Sequence, residues 1–343
     1  MIKLRCLAIV ALLALPALAA QAARKTEGKA YLGAIVIEAE SGQVLFEDNA
    51  DAITPPASMT KLMTFAVLHD KLTAGALTLE TPVVVTAADA KIGGTQVWLK
   101  EKEVFTVEEL IYAMMIQSAN DAAHALARAA AGSPEAFVEL MNAKARTLGM
   151  THTTFRTPHG LPPVGRHVAD GDLSTPRDYA TLSRYLVTET DVTKYTSVRE
   201  RRFGEGKRTA DRVTKMENHN HLLGKVAGLD GLKTGFTNGA SFCLAATAER
   251  NGRRIISVVM GSPDSKGRDL KTVELIERGF SALPAPLPKL STGPAPAAVP
   301  ARPTAVPVIR TDKTAAPSSP SEQNSTSTEA PLTFRVIPPP KKP

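Results

Sequence analysis

Strand-like runs at both ends of the folded part, with a long helical block between them, constrain this chain most. Leu32-Gly33-Ala34-Ile35-Val36-Ile37, a Ser41-Gly42 turn and Val44-Leu45-Phe46 read as a hairpin. Leu79 to Thr86 is a second β-rich stretch. Residues 106 to 187 then read as largely helical. Thr106-Val107-Glu108-Glu109 has the form of a capping box. The helix it opens carries the apolar stripe Leu110, Ile111, Met114, Met115 and runs into Gln117-Ser118-Ala119-Asn120-Asp121. An Ala-rich helix follows to Gly132. Ser133-Pro134 opens another that ends at Gly149, and Thr175-Pro176-Arg177-Asp178 opens one more. After residue 195 strands return: Gly231 to Phe236, Phe242 to Thr247, an Asn251-Gly252 turn, and Ile255 to Met260. Lys266 to Phe280 closes as an amphipathic helix. This order predicts an α+β fold, with an antiparallel sheet whose first hairpin joins strands from the far end of the chain and a helical insertion.

The ends read differently. Lys3 and Arg5, an apolar run from Leu7 to Ala19 and Ala20-Gln21-Ala22 predict a secretory signal over residues 1–22. The run is short for a membrane span, so an exported, soluble mature chain is expected, with no transmembrane span. From Pro284 onward lie 15 of the 25 prolines, mixed with Ala, Ser and Thr. Such a segment cannot bury enough apolar surface to fold, so residues 283–343 are expected to be a disordered tail, its partner unknown. One globular domain over residues 23–282 remains, its core spanning about residues 28 to 282. The net charge of +7 is misleading: Lys3 and Arg5 supply two charges and the segment from Pro284 four. The body is nearly neutral and no basic face is implied, so no nucleic-acid partner is expected. Cys243 is the one cysteine after the signal. It lies in the apolar run Phe242-Cys243-Leu244-Ala245-Ala246 and reads as a small buried hydrophobe.

Ser58-Met59-Thr60-Lys61 follows Pro55-Pro56 and precedes the helical spacing Leu62, Met63, Ala66, Val67. Prolines disfavour helix in the residues before them, so a helix should begin close to Ser58. Residues three apart share a helix face, which points Ser58 and Lys61 the same way at a helix N-terminus. A hydroxyl there has an amine to take its proton and backbone N–H groups for a developing oxyanion. One such match is expected about once by chance in a chain this long. Two further patterns decide: Ser118-Ala119-Asn120 between two helices, and Lys233-Thr234-Gly235 on a strand leading into a hairpin. Alone, Asn120 would read as a helix cap, Gly235 as a bulge and Lys233 as a solvated edge lysine. Together, in order and each found once, they form the motif trio of penicillin-binding proteins and class A β-lactamases.

The likeness extends further. The chain resembles the D-alanyl-D-alanine carboxypeptidases, the low-molecular-mass penicillin-binding proteins of serine peptidase type. Thr60 to Thr64, Ser118 to Ala122, Met141-Asn142, Leu148 to Met150, His159-Gly160-Leu161, Ser174 to Asp178, Asp230 to Thr237 and Ser265 to Arg268 all carry it, across about residues 28 to 282. The resemblance implies the transpeptidase/β-lactamase fold, an antiparallel sheet flanked by helices with a mostly helical subdomain. It implies removal of terminal D-alanine from peptidoglycan stem peptides, inhibition by β-lactams, no cofactor and no metal, in the periplasm or cell-wall compartment of a bacterium. Ser58 would be the nucleophile, Lys61 the base and Ser118 the proton relay. Asn120, Lys233, Thr234, Gly235 and Phe236 would bind substrate, with the N–H groups of Ser58 and Phe236 as the oxyanion hole. Gly235 would let the strand edge approach the substrate. An endopeptidase cutting cross-links is the alternative. A β-lactamase is a further one, but the Glu-x-x-Leu-Asn element of class A enzymes is missing between Ser118 and Lys233. Asn218-His219-Asn220-His221 resembles an Asn-x-Asn strip of the family near its cleft. Its histidines lack the companions of a metal site. Many relatives carry a second β-rich domain and a terminal amphipathic helix, where this chain has the proline-rich segment. His159 to Gly165 is expected to be a surface loop.

Overall fold

The computed structural model describes residues 30–162 and 168–283. The expected signal and tail, and Pro163 to Gly165 of the expected surface loop, lie outside the described residues. In chain order the elements are strands β1 (Gly33–Glu38) and β2 (Val44–Asp48), helix α1 (Thr60–Thr73), strand β3 (Pro82–Val84), helix α2 (Ala87–Ala90) and strand β4 (Val104–Thr106). Helices α3 (Val107–Ile116), α4 (Asn120–Ala131), α5 (Pro134–Thr147), α6 (Pro176–Glu189) and α7 (Val192–Thr196) follow. Strands β5 (Glu200–Phe203), β6 (Thr214–Glu217), β7 (Leu229–Thr237), β8 (Ser241–Arg250) and β9 (Arg253–Ser262) lead to helix α8 (Ser265–Ala282).

Five strands form one antiparallel sheet in the order β2-β1-β9-β8-β7. The N-terminal hairpin joins the C-terminal strands as expected, with Ala34 opposite Val259 and Val36 opposite Ser257. Every residue of β1 is buried, because helices cover both sheet faces. Side chains alternate between faces along a strand. Ala34, Val36, Ile255 and Val259 meet Leu275 of α8 on one face. Ile35, Ile37, Ile256 and Val258 belong to the larger core on the other face, with Leu182 and Leu186 of α6 and Phe65 of α1. Each such buried aliphatic side chain contributes about 1.5–3 kcal/mol. Cys243 is fully buried in this core, and burial pushes its thiol up to about 11.

The helical block starts where its caps predict. Glu109 N donates to Thr106 Oγ1 at 3.2 Å and Thr106 N to Glu109 Oε2 at 2.8 Å, a reciprocal capping box. Ser133 and Thr175 accept from Ala136 N and Asp178 N, each with proline at the first helical position. The stretch from Leu79 to Thr86 is less of a strand than its composition suggests: only Pro82–Val84 pairs, with β4. The surface expectation for His159 and Gly160 is corrected, since both are buried. The Pro158 carbonyl accepts from Thr64 Oγ1 and the His159 carbonyl from Lys61 Nζ, so buried donors hold this segment inside.

Candidate active site

Pro55-Pro56 delays α1, and the chain first makes one 3-10 turn, Ala57–Met59. Ala57 there adopts a left-handed backbone with φ of 49°. Ser58 is partly exposed on this turn, while Lys61, at the start of α1, is wholly buried. Lys61 Nζ lies 3.1 Å from Ser58 Oγ, 2.6 Å from Asn120 Oδ1 and 2.7 Å from the His159 carbonyl oxygen. Burial holds its amine well below the usual lysine range, and the Lys233 charge acts in the same direction. The carboxylates of Asp172 and Asp121 oppose them.

Ser118 sits in the tight connection between α3 and α4 with a left-handed φ of 63°. Strain of this kind costs roughly 1–3 kcal/mol and persists only where the surroundings over-determine it. Here Gln117 Oε1 accepts from Glu217 N, and Asn120 N donates to the Thr95 carbonyl at 2.8 Å. Ser118 is buried, and among the described residues it makes no hydrogen bond to Lys61 or Lys233. Asn120 opens α4 without capping it. Its Oδ1 accepts from Lys61 and its Nδ2 donates to the Gly93 carbonyl at 2.9 Å, so the plain capping role fails.

Lys233, Thr234 and Gly235 lie on β7, the edge strand of the sheet, and all three are buried. Lys233 is not a solvated lysine. Burial and then the Arg268 charge bring its amine down to about 7. Its Nζ donates to the Thr234 carbonyl at 3.3 Å. Packing gives a reason of its own for glycine at Gly235. A Cβ there would collide with the Pro56 carbonyl and press on Ala57 and Met59, so the glycine seats the Ser58 turn on the strand. Phe236 is 52% exposed and stacks on Phe242, with ring centroids 4.3 Å apart.

The structure therefore brings Ser58, Lys61 and Asn120 into hydrogen-bonding distance, sets Lys233 close enough to act on Lys61, and packs Gly235 beneath the Ser58 turn. Four participants were absent from the expected set: the His159 carbonyl, Asp121, Asp172 and Arg268. Asp121 and Arg268 lie within sequence stretches that carry the family resemblance. A carbonyl oxygen has no residue-type signature, and Asp172 lies two residues outside the Ser174 to Asp178 stretch that carries the resemblance. In Asn218-His219-Asn220-His221 the asparagines donate to backbone carbonyls, Asn218 to Thr196 and Val198 and Asn220 to Gly231. Burial and then Lys233 push His219 down to about 4. Among the described residues no three His, Cys, Asp or Glu side chains are grouped to hold a metal ion. No helix among them is long and apolar enough to cross a membrane.

The sequence profile described as D-alanyl-D-alanine carboxypeptidase matches residues 19–264. This chain belongs to that family. The chain is similar to the D-alanyl-D-alanine carboxypeptidase DacF of Bacillus subtilis, 34% identical over 248 residues that cover 72% of this chain and 61% of that protein. It is similar to DacA of Escherichia coli, 36% identical over 253 residues covering 72% and 60%. The chain thus spans about three fifths of the length of these curated carboxypeptidases. Among solved structures, penicillin-binding protein D2 of Listeria monocytogenes in its ampicillin-bound form is 35% identical, with a TM-score of 0.64 over 73% of this chain and 97% of that one. The DacD carboxypeptidase of Francisella tularensis superposes with a TM-score of 0.68 at 27% identity, over 73% and 70% of the two chains. The fold is that of the low-molecular-mass penicillin-binding proteins.

Proposed function

We propose that this chain is a serine-type D-alanyl-D-alanine carboxypeptidase that removes the terminal D-alanine from peptidoglycan stem peptides and is inhibited by β-lactams. The observation that carries the reading is the surroundings of Lys61 Nζ. A neutral amine has two N–H donors and one lone pair. Asn120 Oδ1 and the His159 carbonyl, at 2.6 and 2.7 Å, are acceptors for the two N–H groups. The lone pair is then left for the Ser58 hydroxyl at 3.1 Å. Burial and Lys233 favour that neutral form.

On this reading Ser58 Oγ attacks the carbonyl carbon of the penultimate D-alanine and passes its proton to Lys61. Ser118 relays a proton to the departing amine, and water then releases the acyl group. The backbone N–H groups of Ser58 and Phe236 receive the oxyanion. Asn120 binds the peptide, and Thr234 and Lys233 take the terminal carboxylate, with the Arg268 charge nearby. Gly235 keeps the strand and the Ser58 turn in contact. The Listeria penicillin-binding protein D2, 35% identical, is known in ampicillin-bound and cefotaxime-bound forms, which supports β-lactam binding by this chain. The domain reading goes with this: a signal over residues 1–22, the peptidase domain over 23–282 and a tail over 283–343, in a protein exported to the periplasm or cell wall.

Mass spectrometry after exposure to benzylpenicillin should show one adduct, on the Ser58 peptide. An adduct on another serine, or undiminished labelling of Ser58→Ala, sinks the assignment. Digestion of purified pentapeptide and of cross-linked dimer muropeptides then separates a carboxypeptidase from an endopeptidase. Release of D-alanine from the pentapeptide is expected, and cleavage of the dimer alone would reject it.

A further inference from the structure

Asp172 is a buried carboxylate that the reading above leaves without a task. It lies in the segment leading into α6 and is 4% exposed. Its Oδ1 accepts from Arg156 N at 2.6 Å and Thr157 N at 3.0 Å. Its Oδ2 accepts from Thr60 Oγ1 at 2.8 Å and Thr157 Oγ1 at 3.1 Å. One carboxylate thus ties residues 156–157 to the first residue of α1, next to Lys61.

We propose that Asp172 is a positioning residue for the Ser58–Lys61 pair, clamping residues 156–160 against the nucleophile turn and supplying a buried negative charge to the Lys61 amine. The mechanical part runs through Thr157. Its hydroxyl donates to Asp172 and accepts from Gly160 N at 2.8 Å. Gly160, with a left-handed φ of 83°, presses so closely on the turn that a Cβ would collide with the Ala57 carbonyl and touch Ser58 N. The residue between them, His159, gives its carbonyl to Lys61. A shift of this segment therefore moves the nucleophile turn and one acceptor of the base together.

The electrostatic part has a definite sign. The groups that face Lys61 are Lys233 from β7, Asp121 from α4, Asp172, His159 from its own loop and His219 from the segment before β7. Burial pushes His159 down to about 3 and His219 to about 4, so neither carries charge near neutral pH. Tyr179, which faces Asp172, is held well above its usual range by burial and then by Asp172, so it stays protonated. Lys233 thus favours the neutral Lys61 amine, and Asp172, ahead of Asp121, favours its protonated form. Burial raises the Asp172 carboxyl, and its four donors oppose that rise.

The inference rests on Ser58 and Lys61 as nucleophile and base, and the test separates the two. The rate of Ser58 acylation by benzylpenicillin is followed against pH in the full chain. If the wild type gains no adduct on Ser58, the nucleophile reading falls and the inference with it. Asp172→Asn removes the charge but leaves Oδ1 for the two backbone donors, and the threonine hydroxyls can turn to accept from its amide. The midpoint of the rising limb should move to lower pH by about 1 unit. Thr157→Val keeps the charge and cuts the link to Gly160. Its plateau rate should fall roughly tenfold with the midpoint unmoved. A wild-type midpoint in folded Asp172→Asn, or a wild-type plateau in Thr157→Val, overturns the proposal. Should Asp172→Asn fail to fold, Thr157→Val decides by the same criterion.

Discussion

Lys61 and Lys233 are both enclosed, at 0% and 2% exposure, yet their surroundings differ. Lys61 has three polar neighbours within 3.1 Å and the carboxylates of Asp172 and Asp121 nearby. Lys233 has one carbonyl at 3.3 Å and a neighbouring cation, Arg268, whose guanidinium is held by Asp269 at 2.6 Å. Burial alone drives a lysine toward neutrality, so burial does not distinguish them. Their partners do. Around Lys61 the acceptors match the donors of a neutral amine and leave a lone pair facing a hydroxyl, an arrangement for moving a proton. Around Lys233 positive charge is in excess, which a substrate carboxylate would relieve. On the proposed reading, the α1 end handles protons and the β7 edge handles the substrate's charge.

The largest expected effect breaks the Lys61 side. Lys61→Arg keeps a cation but cannot yield a neutral base, because arginine stays protonated. Ser58 acylation by benzylpenicillin should slow by about 10²–10⁴-fold, measured as adduct mass against time. A near wild-type rate would mean that the base is another group. Lys233→Ala tests the other side. Loss of a charge-assisted contact is worth about 1.5–3 kcal/mol, so kcat/KM on a D-Ala-D-Ala peptide should drop by about 10–100-fold. The same change removes a cation from Lys61, whose amine then protonates more easily. The acylation midpoint should move to higher pH, opposite to Asp172→Asn. In the wild type the free Lys233 ammonium is lost as pH rises through about 7. KM for an anionic peptide should therefore worsen above that pH, and with the acylation limb that rises as Lys61 loses its proton this gives a bell-shaped profile of kcat/KM. A KM flat with pH would remove Lys233 from carboxylate binding.

Much of this contrast was legible in the sequence because it is written in short spacings. Ser58 and Lys61 are three apart, Ser118 and Asn120 two apart, and the capping box of α3 is a three-residue relation between Thr106 and Glu109. The sheet was legible because β1, β8 and β9 are apolar runs with turns between them. What escaped was long-range or carried by backbone. Asp172 reaches Thr60 across 112 residues, and the His159 carbonyl serves Lys61 across 98. The loop around His159 has the Gly and Pro content of a surface segment, but packing against Ala57 and Lys61 overrode that composition. The β5–β6 hairpin was missed because Glu200, Arg201 and Arg202 of β5 are exposed and show no apolar alternation. Helix α7, at five residues, is too short for a helical period to show.

A smaller effect is expected where the two regions meet. Gly235→Ala alters no charge and no hydrogen-bonding side chain. The added methyl meets the Pro56 carbonyl and forces the Ser58 turn away from β7. Overpacking of this kind costs about 1–3 kcal/mol of stability. Thermal unfolding should show that loss, and acylation should slow roughly tenfold as Ser58 leaves its place. The pH midpoint should stay put, since Lys61, Lys233 and Asp172 keep their relation. A moved midpoint would show that the two lysines are coupled through the turn and not only through space.

The smallest effect should come from shortening the chain. Among the described residues, every contact of Lys61 and Lys233 named above lies between Ser58 and Asp269. The body is closed by Leu283, which packs with Phe280 on the cluster of Tyr31, Val36 and Leu275 beneath β1. A chain ending at Leu283 keeps that closing contact. It also loses a segment whose proline-rich composition offers little apolar surface to bury. Turnover of a soluble D-Ala-D-Ala peptide should stay within about twofold of the full chain, and both pH limbs should fall at the same midpoints. A tenfold loss corresponds to ~1.4 kcal/mol of transition-state stabilisation. A loss of that size in kcat/KM with unchanged acylation would place residues beyond Leu283 at the carboxylate side, with Lys233. A shifted acylation midpoint would place them at the proton-handling side, with Lys61. Either result would end the division of labour between the two lysines as drawn from residues 30–283 alone.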